Sequence, residues 1–220
     1  MPGLKTSLHL DMWREFKEKD SMARRVRRAL RQVISPTEIY GLQWGDPEIL
    51  PPLQFLRDRW VLPYVNPQHV ALEIGPGGGR WSRYLLDFRQ LYVVDYHEEI
   101  LNELKRNFYR PNMGFIKNNE CDFPGVADTF IDYLFSFGCF VHLDRELIVA
   151  YLKNIVRILK PGGNAVLHYS DKSKIMAQVN SSFSDNTPQQ MRKMVTESGF
   201  RILEEDLTTM WHSSLIRFTR

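Results

Sequence analysis

Cysteine is nearly absent from this 220-residue chain. Cys121 and Cys139 are the only two, far apart and in neither a CxxC nor a zinc-ligand spacing. That excludes a disulfide framework and a cysteine-held metal. Each thiol is expected as a small buried hydrophobe or a loop residue. Long apolar runs are missing too, and nothing approaches the roughly 18–20 residues needed to span a bilayer. Met1 to Trp13 mixes Lys5, His9 and Asp11 into its apolar residues, so no signal-peptide core is read there and a cytoplasmic protein is expected. Excess charge is also lacking. A formal net charge of +3 makes no electrostatic demand for nucleic acid or membrane as a partner.

What is present divides in two. Up to about residue 65, Pro2, Pro36, Pro47, Pro51, Pro52 and Pro63 are expected to break helices and fix turns. Among them Met22, Val26, Leu30 and Val33 fall at helical spacing, with Arg24, Arg25, Arg27, Arg28 and Arg31 around them. This reads as an amphipathic helix with a basic, solvated outer face. No aromatic side chains are interleaved as stacking platforms, which disfavours single-stranded nucleic acid. Residues 1–65 are thus expected as a helical extension or lid, and 66–220 as the main domain.

From Gln68 strands alternate with helices. Val70 to Ile74, Leu91 to Val94, Met113 to Ile116, Phe130 to Phe137 and Asn164 to His168 read as strands. Trp81 to Phe88, Glu98 to Phe108, Arg145 to Leu159 and Pro188 to Ser198 read as helices, the last closed by Gly199. Alternation of this kind predicts an α/β fold with a mostly parallel sheet between two helical layers. Two final strands, near 201–207 and 213–218, are joined too closely for a helical crossover and should form an antiparallel hairpin. Seven strands are expected in all.

In such sheets ligands bind beyond the carboxyl ends of the strands, where strand order reverses. Gly75, Pro76, Gly77, Gly78 and Gly79 stand at one such end, and glycines there let a ligand approach backbone amides at the next helix N-terminus. Asp95, at the tip of the next strand, is placed to accept hydrogen bonds from both hydroxyls of a ribose. A dinucleotide fingerprint would need its third glycine where Arg80 stands. Glu73, inside the strand before the turn, would repel a pyrophosphate and suits a ligand bearing an ammonium group. S-adenosylmethionine has one. The pattern opposes a dehydrogenase.

Four pieces carry a resemblance: Leu72-Glu73-Ile74-Gly75-Pro76-Gly77-Gly78-Gly79, Val93-Val94-Asp95, Phe130 to Ser136, and Leu159-Lys160-Pro161-Gly162-Gly163. Together they resemble the core of the class I, Rossmann-like methyltransferases over Val70 to Asp171. The resemblance implies S-adenosyl-L-methionine as cofactor and S-adenosyl-L-homocysteine as product. It implies that the first piece wraps the methionine and ribose, that Asp95 holds the ribose and that Tyr96 lies against adenine. The adenine amino group would meet Asn119 or Glu120, beside Cys121, where the family usually has Asp. Phe137 and Gly138 would close over the methionine end. Pro161-Gly162-Gly163 is a turn that needs no ligand, and Asp132 reads as structural.

For the acceptor, a hydroxyl nucleophile needs alignment and a proton acceptor. His168, ending the fifth strand, and His142, after the fourth, are the candidate bases, because histidine titrates near neutral pH. His212 is expected to pack or to line the acceptor pocket with Tyr40, Trp44, Tyr169 and Met176. No metal is assigned, since no His-x-x-x-His or comparable spacing occurs. The segment Lys172 to Asn186, rich in Asn, Ser and Gln, suits a hydroxylated small molecule such as a sugar or secondary metabolite. An RNA or protein methyltransferase docking through Arg24 to Arg31, or a non-catalytic cofactor-binding protein, are the other readings. Ser136-Phe137-Gly138-Cys139 stands where nucleic-acid amino-group methyltransferases often carry Asn-Pro-Pro-Tyr.

Overall fold

Val70–Ile74 is apolar except for Glu73 and contains no turn former, the composition of a strand covered on both faces. In the computed structural model, which describes residues 39–220, it is strand β1, with all of its residues buried. Six more strands join it: β2 (Gln90–Asp95), β3 (Met113–Lys117), β4 (Ile131–Ser136), β5 (Leu159–Ser170), β6 (Arg201–Asp206) and β7 (Ser213–Thr219). They form one seven-stranded sheet in the order β3-β2-β1-β4-β5-β7-β6. Strands β1 to β5 run parallel, and β7 is antiparallel to both β5 and β6. The order reverses between β1 and β4, so the crevice expected of open α/β sheets lies at the carboxyl ends of these two strands.

Alternation along the strands sends successive side chains to opposite faces. Leu72, Ile74, Leu134 and Leu167 pack under helices α3 (Arg145–Ile158) and α5 (Pro188–Glu197), with Ile148, Ile155 and Met191. Ala71, Val93, Tyr133 and Val166 face the other way, under α1 (Pro51–Trp60) and α2 (Glu98–Phe108), with Leu53, Trp60 and Leu104. A single helical turn, α4 (Ile175–Gln178), follows β5. Thr187 and Gln190 form a reciprocal capping box at the start of α5, and Gly199 at φ +88° closes its far end. The sandwich is the one predicted.

Three local expectations are corrected. Trp81 to Phe88 is not an α-helix; only Ser82–Tyr84 makes a 3₁₀ turn. Tyr84, Leu85 and Phe88 donate to the carbonyls three residues back, and the one longer bond, from Arg83 to Gly79, is not continued into an i→i−4 ladder. Both ends are pinned by the rest of the fold, Ser82 by Glu73 and the Arg89 amide by the His69 carbonyl. The buried rings of Trp81 and Phe88 produce the helix-like spacing without a helix. Second, Pro51 and Pro52 do not break a helix but open α1, at the first positions, where no amide donor is needed. Third, Pro161-Gly162-Gly163 lies within β5, at a register shift against β4, with Gly162 at φ +78°. Asp132 sits at that irregularity, accepting the Val70 amide and pairing with Lys160, as befits a structural acid.

Residues 39–220 form one compact unit. Leu53, Leu56, Trp60 and Val61 belong to its core. The basic helix expected at 22–33 lies outside the described residues. Among the described residues no helix is long and apolar enough to cross a membrane.

Candidate active site

The glycine turn joins three segments. Gly75, Gly77 and Gly79 take positive φ, the region that favours glycine. A Cβ on Gly75 would lie 2.7 Å from that of Cys139, and one on Gly78 would lie 2.5 Å from the Tyr40 nitrogen. The turn is therefore pressed between the loop after β4 and the segment around Tyr40. Its amides point mostly inward: Gly75 donates to Val94, Gly78 to Tyr40 and Gly79 to Pro76. No α-helix follows, so the expected helix-terminus dipole is absent here, and carboxylates and a guanidinium supply the polarity.

Glu73 is buried at 2 % exposure, and its Oε2 accepts the Ser82 hydroxyl at 2.5 Å. Burial pushes its pKa up to about 7, with the Ser82 bond and the nearby Arg80 charge opposing the rise. Its Oε1 receives no protein donor among the described residues. Asp95 ends β2, and its Oδ1 accepts the His97 amide at 2.8 Å. The second oxygen, Oδ2, has no protein donor among the described residues. Two carboxylate oxygens at the ends of adjacent strands, β1 and β2, thus retain accepting capacity. That set of acceptors matches the donors of an ammonium and a ribose, and it does not match a pyrophosphate.

The adenine-side candidates are spread out. Tyr96 is exposed, with the Lys117 ammonium 5.6 Å from its ring centre. Asn119 is exposed, and its amide donates to Asp122. Glu120 is exposed, in the left-handed region at φ +62°. Cys121 is buried in the core, its thiol directed at the Leu147 carbonyl and pushed up to about 12 by burial. Sequence reasoning missed Asn118. Fully buried, it donates to the Glu120 carbonyl and to the Tyr151 hydroxyl, holding this loop in shape. A polar residue ending a strand was its only signal.

The three candidate histidines converge. His168 stacks on Phe137 with ring centres 3.9 Å apart, and lies 6.3 Å from the ring of His212. Phe183 bridges His212, at 5.2 Å, and His142, at 5.6 Å. Their chemistry differs. His168 is buried, its Nδ1 accepts the Gly138 amide at 3.1 Å and its Nε2 bonds Ser213 Oγ at 2.5 Å. Both nitrogens are engaged, and burial first, then the neighbouring cations and histidines, holds its pKa well below the usual imidazole value. Gly138 therefore spends on His168 the amide expected to face the cofactor. His142 is half-buried and its Nδ1 meets the Ser182 carbonyl at 2.8 Å, which makes Nδ1 the protonated nitrogen. His212 carries a buried Nδ1 without a partner, and desolvation lowers its pKa.

Of the remaining acceptor candidates, Tyr40 covers Gly77 and meets Trp44 edge to face at 5.3 Å, while Trp44 itself is exposed. Met176 is exposed on α4. Tyr169 is not with them: it follows His168 on β5, so it points through the opposite face into the core under α3. Among the described residues no cluster of histidine, cysteine and acidic side chains has the makings of a metal site.

Residues 71–163 match a family model described as a methyltransferase domain. No curated protein matches the chain in sequence. Solved structures do match in fold. A protein from Pyrococcus horikoshii, PH0226, is 19% identical with a TM-score of 0.65, over 83% of this chain and 93% of its own. An S-adenosylmethionine-dependent methyltransferase from Mesorhizobium loti is 12% identical at the same TM-score of 0.65, over 79% and 99%. Geranyl diphosphate C-methyltransferase from Streptomyces coelicolor, solved with Mg2+, geranyl diphosphate and S-adenosyl-L-homocysteine, is 13% identical with a TM-score of 0.63, over 78% and 80%. Residues 71–163 thus match a methyltransferase domain, and the chain shares the fold of these solved methyltransferases.

Proposed function

We propose that this chain is a class I S-adenosylmethionine-dependent methyltransferase acting on an oxygen of a small hydroxylated acceptor, a sugar or secondary metabolite, with His142 taking the hydroxyl proton. The carrying observation is the bond between His142 Nδ1 and the Ser182 carbonyl. It fixes the tautomer that keeps a lone pair on Nε2, the arrangement a general base needs. His168, with both nitrogens occupied, is a positioning residue: it holds the Gly138 turn and the Phe137 ring. His142, Phe183 and His212 form one wall of the acceptor pocket, and the exposed Trp44 and Met176 supply apolar cover. Glu73 holds the cofactor's ammonium and Asp95 its ribose; Tyr96, Asn119 and Glu120 stand at the adenine.

When bound, the cofactor supplies a methyl group already activated by its sulfonium. The protein's share is orientation, exclusion of water and removal of one proton. A pocket wall of aromatic and imidazole rings, with Asn180 and Ser182 beside it, suits a polar uncharged acceptor more than a phosphate-bearing one. Transfer of a labelled methyl group to a panel of sugars and phenols tests the acceptor class. In the same assay His142→Gln should lower turnover about 10²–10⁴-fold with S-adenosylhomocysteine affinity unchanged. Full turnover in that variant would remove His142 from the role. No transfer to RNA is expected even at low salt, where docking on phosphates is strongest.

A further inference from the structure

Between α4 and α5, over residues 179–187, only Ser184 and Asn186 are buried, at 7 % and 0 % exposure. A segment that merely covers a core would place apolar side chains at such positions. These two are polar, and they bond the backbone on either side of His142. The Ser184 amide donates to the Val141 carbonyl at 2.9 Å, and the Ser184 hydroxyl donates to the same oxygen at 3.1 Å. Asn186 Nδ2 donates to the Leu143 carbonyl at 3.1 Å and to Ser184 Oγ at 2.7 Å. The 3₁₀ turn Phe140–His142 uses the carbonyls of Cys139 and Phe140 for its own bonds, which leaves those of Val141 and Leu143 to be met from outside. Behind this contact the segment is anchored on the sheet. Ser170, the buried last residue of β5, donates its hydroxyl to the Ser184 carbonyl at 2.5 Å, and the Lys172 amide donates to the Asn186 carbonyl at 2.8 Å. Asn186 is kept there at a cost, because its Oδ1 is buried with no partner among the described residues.

We propose that Ser184 and Asn186, anchored by Ser170, are positioning residues, a buried clamp that sets where His142 stands and which of its ring nitrogens carries the proton. The clamp holds residues 141–143 against residues 182–186, and the bond from His142 Nδ1 to the Ser182 carbonyl spans the same two segments. A hydrogen bond weakens steeply as its distance and angle drift. The Ser182 carbonyl therefore stays in line with Nδ1 only while the two segments are held together. The tautomer of a histidine is set by the hydrogen bond its other nitrogen makes, so the clamp acts on Nε2 without touching it. This rests on the reading of His142 as the proton acceptor, and it supplies the rigid support that such a base needs.

Nitrogen-15 NMR of histidine-labelled protein at about pH 8, where an ordinary imidazole is neutral, reads the tautomer and needs no acceptor. The His142 signals are assigned by their loss in His142→Gln. The unaltered protein should show His142 in the Nδ1–H form. Ser184→Ala and Asn186→Ala should each lower the ratio of Nδ1–H to Nε2–H at least about fivefold, the equivalent of one net hydrogen bond. Ser184→Ala removes a single oxygen atom and provides the folded comparison if Asn186→Ala is unstable. An unchanged ratio in either folded variant, whether or not its melting temperature falls, would overturn the clamp and reduce these residues to loop packing. An unaltered protein with His142 in the Nε2–H form would instead overturn the choice of His142 as base, an outcome distinct from the first.

Discussion

Burial decides what individual residues do in this site. Glu73 in the unliganded fold carries a pKa raised from 4.5 to about 7, so the unfolded chain ionises it first. Folding stability is therefore lost as pH rises from about 4.5 through about 7, by on the order of 3 kcal/mol from this group. Glu73→Gln removes that loss, and thermal melts at pH 8 should show the variant a few degrees more stable without ligand. With S-adenosylhomocysteine present the order should invert, because the ammonium loses its carboxylate. A variant less stable than the parent at pH 8 and unaltered in ligand affinity would contradict the role. His168 works in the opposite direction. Its pKa is held well below 6.5, so the unfolded chain takes up the proton first and stability falls as pH drops below about 6.5.

At the scale of elements, the segment from Tyr40 to Gly45 and the glycine turn act as one unit. The Gly78 amide donates to the Tyr40 carbonyl, and Arg83 is paired with Asp46 just beyond. Gly78→Ala would put a methyl group 2.5 Å from the Tyr40 nitrogen, an overlap with backbone that neither side relieves by changing rotamer. The expected cost is about 1–3 kcal/mol, with faster proteolysis of the chain near residues 39–50. Unchanged melting and unchanged cleavage would mean the segment is not held there. The strands were legible because buried parallel strands read as apolar runs, as in Val70–Ile74 and Leu91–Val94. The segment after the turn was not, because Trp81, Leu85 and Phe88 are spaced as on a helix while their burial is met by successive 3₁₀-type turns. Arg80 was visible only as a missing glycine. Its surroundings, Gly45, Phe137 and Gly138, are distant in sequence and meet it only in the fold. For the same reason His168 reads as a strand-end base until Ser213, on β7, takes up its second nitrogen.

Over the whole molecule, the sheet order explains why one crevice collects these residues. Glu73 is on β1, Asp95 ends β2, the Gly138 turn follows β4 and His168 lies on β5, so the strands around the reversal point deliver their groups to one edge. A ligand bridging β1 and β2 should stabilise the entire domain by mass action. At about 100 times its dissociation constant, S-adenosylhomocysteine should add about 2.7 kcal/mol, visible as a rise of several degrees in melting temperature. The most direct measurement is calorimetric titration of S-adenosylhomocysteine into the protein and into Asp95→Ala. Saturable binding by the unaltered protein, weakened at least about tenfold in the variant, is the result predicted from a ribose held by Asp95. Equal affinity in both would contradict it.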